Sequence, residues 1–207
     1  MQLSSIRTRV RALTNIRSAG LLSDAEIDEY VNEFNRAICE QYSWPQMRGR
    51  LTLVATGEAT ITLSADVRNI IALSTKTTSR LIPARSVGTQ EADAFFANIT
   101  GNPTKYYENA HTRTVTMFPA PEVGTTLVID YQKNPPSIVN GTDAPPFDSE
   151  YHLAWALAAA SQILMDRGGD RQKAAEVGHR VSEIVSRMRR RYLMGRDREA
   201  LPLNARW

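Results

Sequence analysis

The hydrophobic period of this 207-residue chain changes twice, which limits the folds open to it. Leu3, Ile6, Val10 and Leu13 recur at helical spacing, so the chain opens on a short amphipathic helix. Ser23-Asp24-Ala25-Glu26 reads as a capping box, in which the serine caps a free amide and the glutamate reaches back. Ile27, Tyr30, Val31, Phe34, Ile38 and Tyr42 then form one apolar stripe on a second helix. That helix stops at Ser43-Trp44-Pro45, because the residue before proline avoids the α region. From residue 51 the period becomes two.

Leu51, Leu53 and Ala55 alternate with Thr52, Val54 and Thr56; Ala59, Ile61 and Leu63 alternate with Thr60 and Thr62. This pattern predicts a hairpin around Gly57. A three-residue loop, 56–58, pairs Leu53 with Ile61 and Leu51 with Leu63 on one face, whereas a two-residue loop splits the leucines between faces. The longer loop is expected, since slipping by one residue forfeits roughly 1.5–3 kcal/mol per large apolar side chain. Residues 67–73, 81–84, 106–107, 114–118 and 126–132 read as further strands. Residues 89–98 read as a small helix with Phe95 and Phe96, and 135–146 as a linker without periodicity.

Helical spacing returns after Asp148-Ser149. The segment from Leu153 to Leu164 is apolar nearly all round, which predicts a buried helix ended by Gly168-Gly169. Asp170 caps a final helix whose seam is Val177, Val181, Ile184, Met188 and Tyr192, with Gly195 as its stop. Glu176–Arg180 and Glu183–Arg187 are i,i+4 pairs on it, worth about 0.2–0.5 kcal/mol each. The predicted fold class is α+β: a helical bundle built from the N- and C-terminal helices (1–48 and 147–195), a β-rich insertion in the middle (49–146), and an extended C-terminal arm (196–207).

With 42% hydrophobic and 23% charged residues, the chain has the composition of a soluble globular protein. Its length is enough to bury a core without disulfides or metals. The one cysteine, Cys39, has no internal partner to bridge to. Residues 1–7 lack the apolar core of a signal peptide, and the apolar run 153–165 is shorter than the roughly 20 residues that span a bilayer. Neither secretion nor a membrane is therefore expected.

Signs of chemistry are few. The sequence has no G-x-x-x-x-G-K-[ST], H-E-x-x-H or G-x-S-x-G motif, so no enzyme, cofactor or metal is expected. Glu176 and His179 have the spacing that puts two ligands on one helix face. Di-iron bundles use that motif twice with two further glutamates, and one copy reads as a surface pair. A net charge of +3 sets no demand for nucleic acid. Yet Arg187, Arg189, Arg190, Arg191, Arg196 and Arg198 crowd one segment, with Asp197 the single acid among them. Such a cluster suits phosphates or an acidic protein surface, and cations near a helix end also complement its dipole. Beyond the last helix, Arg196, Arg198, Leu201, Leu203, Arg206 and Trp207 lie in a stretch too poor in apolar residues for a core of its own. Trp and Arg are enriched among binding hot spots, so a partner anchor and an ordinary frayed end both fit these residues.

The order of the segments carries a resemblance. A helix opens at Ser23-Asp24-Ala25-Glu26-Ile27 and closes at Tyr42-Ser43-Trp44-Pro45. Leu51-Thr52-Leu53, Gly57 and the run from Ile61 to Ile70 follow, then Gly101-Asn102-Pro103-Thr104-Lys105-Tyr106-Tyr107 and Val115-Thr116-Met117-Phe118-Pro119-Ala120-Pro121. Leu127-Val128-Ile129-Asp130-Tyr131 leads through Pro135-Pro136 to an Ala-rich helix beginning at Glu150-Tyr151-His152. This succession resembles the head-to-tail adaptor, or connector, proteins of tailed bacteriophages over roughly residues 20–170. The chain departs from that pattern at Ser64-Ala65, where the family often has a proline before the acid of Asp66-Val67-Arg68, and at Ile61, near which it often has a tyrosine.

The resemblance implies a non-enzymatic virion protein at the head–tail junction, made in the host cytoplasm. It implies a homo-oligomeric ring, a dodecamer, beneath the portal protein. Such a ring extends the channel for genomic DNA without reading its sequence, and offers a platform to tail or nozzle proteins. It also implies that a C-terminal arm docks on the portal, a role that falls here to Arg196, Arg198, Leu201, Leu203, Arg206 and Trp207. Arginine suits it because its planar fork pairs carboxylates bidentately. Two other readings compete. One is a nucleic-acid-binding module using the Arg-rich last helix, whose duplex affinity would fall steeply with salt. The other is a metal-dependent enzyme using Glu176 and His179, which would carry bound metal.

Overall fold

The computed structural model describes residues 1–16, 21–75, 81–83, 99–109, 111–167 and 170–193. The chain divides into two units, Met1–Gln46 with Pro135–Trp207, and Met47–Asn134. The first is helical and the second is built of strands, an α+β fold.

The helical unit contains α1 (Leu3–Thr14), α2 (Asp24–Gln41), α3 (Leu153–Asp166) and α4 (Arg171–Tyr192). The capping box at the start of α2 is complete: Glu26 N donates to Ser23 Oγ at 3.2 Å, and Ser23 N donates to Glu26 Oε2 at 2.8 Å. Asp170 caps α4 by accepting from Lys173 N at 3.0 Å. α3 packs against α1, α2 and α4, which is why it is apolar nearly all round. Its Ala154, Trp155, Ala156, Ala160 and Ile163 are completely buried. On the outer side, Arg7 bridges α1 to α2 through Asp28, with Nε to Oδ1 at 2.7 Å, and Arg11 reaches Asp24 at 3.0 Å. On α4 the acids find partners other than those expected. Gln172 donates to Glu176 at 3.3 Å, and His179 lies 3.6 Å from Glu183, where the sequence pointed to Arg180 and Arg187.

The segment 135–146, read from sequence as the end of the insertion, groups with the helices. Its backbone polar groups explain why. Ile138 exchanges two hydrogen bonds with the Asn32 side chain, both at 2.8 Å. Gly141 O and Asp143 O accept from Ser4 N and Leu3 N, satisfying the first amides of α1, whose N-cap Gln2 supplies no side-chain bond.

The second unit holds nine strands among the described residues: β1 (Arg48–Val54), β2 (Thr60–Thr62), β3 (Val67–Thr75), β4 (Ile82–Pro83), β5 (Thr100–Gly101), β6 (Lys105–Asn109), β7 (Thr114–Phe118), β8 (Ala120–Pro121) and β9 (Thr126–Lys133). They form sheets ordered β1-β9-β3, β2-β7-β6-β4 and β5-β8. The expected hairpin is not formed. β1 pairs with β9, setting Leu51 opposite Ile129 and Leu53 opposite Leu127, while β2 pairs with β7, setting Ile61 opposite Val115. The reason lies in length: β9 matches all seven residues of β1 and buries Leu127 and Ile129 completely, whereas β2 has three residues. The facing of side chains still follows the alternation, for Leu51, Leu53, Ile61 and Leu63 all serve one core with Leu73, Tyr106, Val115, Met117 and Tyr131. Of the strand expected over 81–84, the structure shows Ile82–Pro83. The expected helix over 89–98, Gly168-Gly169 and Gly195 lie outside the described residues.

Candidate functional site

The final turns of α4 carry the basic cluster, and the fold divides it. Ile184 and Met188 are buried on α4, whereas Arg187 and Arg190, one turn apart from each other, are both exposed. Among the described residues neither makes an ion pair. Arg189 and Arg191 are engaged within the helical unit. The Arg189 guanidinium lies 4.8 Å from the centre of the Tyr42 ring, a cation–π contact to the end of α2. Arg191 reaches Asp148 at 3.5 Å and pairs closely with Glu150.

Tyr192, the last residue of α4, sits in an aromatic cluster. Its ring centre lies 5.7 Å from Tyr151, 6.2 Å from Trp44 and 6.4 Å from Phe147. Burial, with the Asp148 carboxylate second, pushes its phenol up to about 12. Inward of the rings, the side chains of Trp44, Trp155, Asn35 and His152 each have a hydrogen-bond partner. Trp44 Nε1 donates to Ile38 O at 2.6 Å, and Trp155 Nε1 donates to Asn35 Oδ1 at 3.1 Å. Asn35 Nδ2 donates to Pro136 O at 2.8 Å. His152 is held 2.6 Å from Phe147 O through Nε2; a carbonyl only accepts, so that nitrogen carries the proton. The chain therefore leaves α4 at Leu193 from a root fixed by aromatic packing and ion pairs. The candidate arm residues Arg196, Arg198, Leu201, Leu203, Arg206 and Trp207 lie outside the described residues.

Beside this root runs a groove of about 330 Å³ between α2 and α4. Phe34, Ile38, Val181 and Val185 give it an apolar lining, and Gln41, Ser186 and Arg189 a polar one. In the β unit a smaller cavity of about 140 Å³ is lined by Leu63, Val67, Arg68, Glu108, Arg113 and Asn134. Burial raises the Glu108 carboxyl above the usual carboxylate range. Glu176 and His179 gather no third ligand; among the described residues no group of three His, Cys, Asp or Glu side chains is placed to hold a metal ion. Among them, too, no helix is long and apolar enough to cross a membrane.

Asn35, buried and matched, was not singled out from sequence, and buried His152 figured there only at the start of the Ala-rich helix. The signal for Asn35 was present: it falls four residues after Val31 and three before Ile38, on the apolar stripe of α2. A polar residue at such a position is buried with dedicated partners. His152 offered no comparable signal, because its partners are backbone groups of Phe147 and Met1, which no period records.

Two comparisons bear on what this arrangement serves. A protein-family model described as SU10 adaptor protein matches residues 1–204. A search of the curated proteins finds no match.

Proposed function

We propose a structural role in the virion for this chain, which belongs to the SU10 adaptor protein family, a family of phage head-to-tail adaptors. The chain joins the portal to the tail proteins. Copies assemble as a ring beneath the portal, continue the channel through which genomic DNA passes, and present a platform to the tail. The C-terminal arm is the portal anchor, with Arg196, Arg198 and Arg206 for acidic groups and Leu201, Leu203 and Trp207 for an apolar cleft. Many weak copies around a ring bind together by avidity, so the anchor need not be strong in any one subunit. The observation that carries this reading is the extent of the family match, which spans both units and reaches into the arm. The rooted end of α4 supports it mechanically, since an anchor transmits force only from a fixed base.

The experiment is deletion of 196–207. Portal binding should be lost while circular dichroism and melting stay unchanged. Binding by the truncated protein would refute the anchor. The rival reading, a duplex-binding module on the last helix, retains Arg187 and Arg190 as outward cations, while Arg189 and Arg191 are spent on Tyr42, Asp148 and Glu150. It requires duplex affinity that falls steeply with salt.

A further inference from the structure

We infer that the tip of the β unit is one half of a contact between neighbouring copies, and that the Arg187–Arg190 face of the second copy's α4 is the other half. This rests on the ring reading above.

The tip is formed by two adjoining turns. One leaves β1 through Gly57 (φ 95°) and the other enters β9 through Gly124 (φ 87°). They are tied together by Ala55 N donating to Thr125 O and Gly124 N donating to Ala55 O, each at 2.9 Å. Gly57 packs directly on Val123: a Cβ at that glycine would lie 3.0 Å from Val123 Cγ2. Val123 is thus held in place, yet it is 78% exposed, and Val54 at the end of β1 is 67% exposed. They are the two most exposed large apolar side chains among the described residues. Glu58 and Glu122 are exposed on the same two turns, and neither 51–60 nor 119–126 contains a Lys or Arg. The tip is apolar with a negative flank.

The occupant follows from charge and from symmetry. A ring needs a heterologous contact, in which two different patches of one chain meet on successive copies. The chain carries a negatively flanked apolar tip, and on the outer face of α4 a pair of exposed cations with no ion pair among the described residues. Complementary potentials fix partner and register, and like charges brought together are costly.

The test uses the full chain assembled with the portal protein of the same phage, read as copies per particle by native mass spectrometry. Glu58→Arg with Glu122→Arg should weaken assembly about tenfold or more, and so should Arg187→Glu with Arg190→Glu. Carrying both reversals in one chain should restore it, because the attraction is then rebuilt with exchanged signs. Val123→Asp, at an exposed position, should also weaken assembly without lowering the melting temperature. If the native chain assembles and either reversal assembles equally well, the inference is wrong. If the tip reversal fails and reversing α4 does not rescue it, the tip docks on a different protein and the inference is again wrong. A native chain that stays single-copy on the portal would instead overturn the ring reading itself.

Discussion

Each of the two units has its own way of holding its interior together. In the helical unit, burial is directed by polar side chains with defined hydrogen-bond partners. Asn35 lies 120 residues from Trp155 along the chain and accepts its indole N–H, and Trp44 and Trp155 both touch Phe147, at 5.3 and 5.5 Å between ring centres. In the β unit the core cluster is apolar, with Thr75 and Gln132 as the buried polar residues beside it among the described residues, and the alternation of strands decides what faces it. The contrast teaches where uniqueness comes from. Helices of similar stripe can rotate or slide against one another, and a matched buried polar pair removes that freedom. Strands need no such device, because a slip of one residue already exposes the whole core face.

The strongest way to break this comparison is to remove the helical lock. Asn35→Leu keeps the volume but leaves Trp155 Nε1 and Pro136 O without partners in a buried site. The expected cost is about 2–4 kcal/mol, from two orphaned groups. Trp155→Phe added to it removes one of the orphans and should recover part of the loss. Trp fluorescence in urea isolates the effect, since residues 47–134 contain no Trp. An Asn35→Leu protein as stable as the parent would show that apolar packing alone specifies the bundle.

The matching test in the β unit is steric. Gly49 lies opposite Tyr131, and a Cβ there would sit 2.5 Å from the Tyr131 ring, whose hydroxyl donates to Asp66 Oδ2 at 2.9 Å. Gly49→Ala forces ring or strand to move, at a cost of about 1–3 kcal/mol. Pairing it with Tyr131→Ala removes the obstruction, so the double variant should lose less than the sum of the single ones. Amide exchange along β9 is the readout. Strict additivity would mean that the ring yields freely and that the glycine is not required.

How much could be read beforehand differs between the units for the same reason. The helical elements were legible because their signals are local: the capping box at Ser23 and Glu26, the cap at Asp170 and the stripes that face α3 all lie within a few turns. The strands were legible as strands, and the shared core face of Leu51, Leu53 and Ile61 followed from alternation. Their partners were not. The hairpin preference at Gly57 is a local signal, and it lost to β9, whose segment lies more than 70 residues away and offers a full-length match. The groove between α2 and α4 and the split of the arginine cluster depend on how two helices meet, which no period records. The segment 135–146 has no period either, and its place beside α1 and α2 comes from backbone carbonyls that every residue possesses.

The smallest expected effect asks whether the β unit hides a polar lock after all. Glu108 is half-buried, and burial raises its carboxyl above the ordinary range while the Ile70 backbone opposes the rise. A carboxyl whose folded value is raised favours folding in its protonated form. That contribution is complete below the unfolded value of about 4.3 and is lost as pH climbs through the folded value. At neutral pH the charged group therefore costs the β unit stability. Glu108→Gln should raise the urea midpoint read by β-strand amide exchange at pH 7, and the gain should vanish when the solution is acid enough to protonate the parent. Arg68 and Arg113 line the same cavity. A Glu108→Gln variant less stable than the parent at pH 7 would mean that the carboxylate works as a partner to those cations. The two units would then share one principle, and alternation alone would no longer account for the β core.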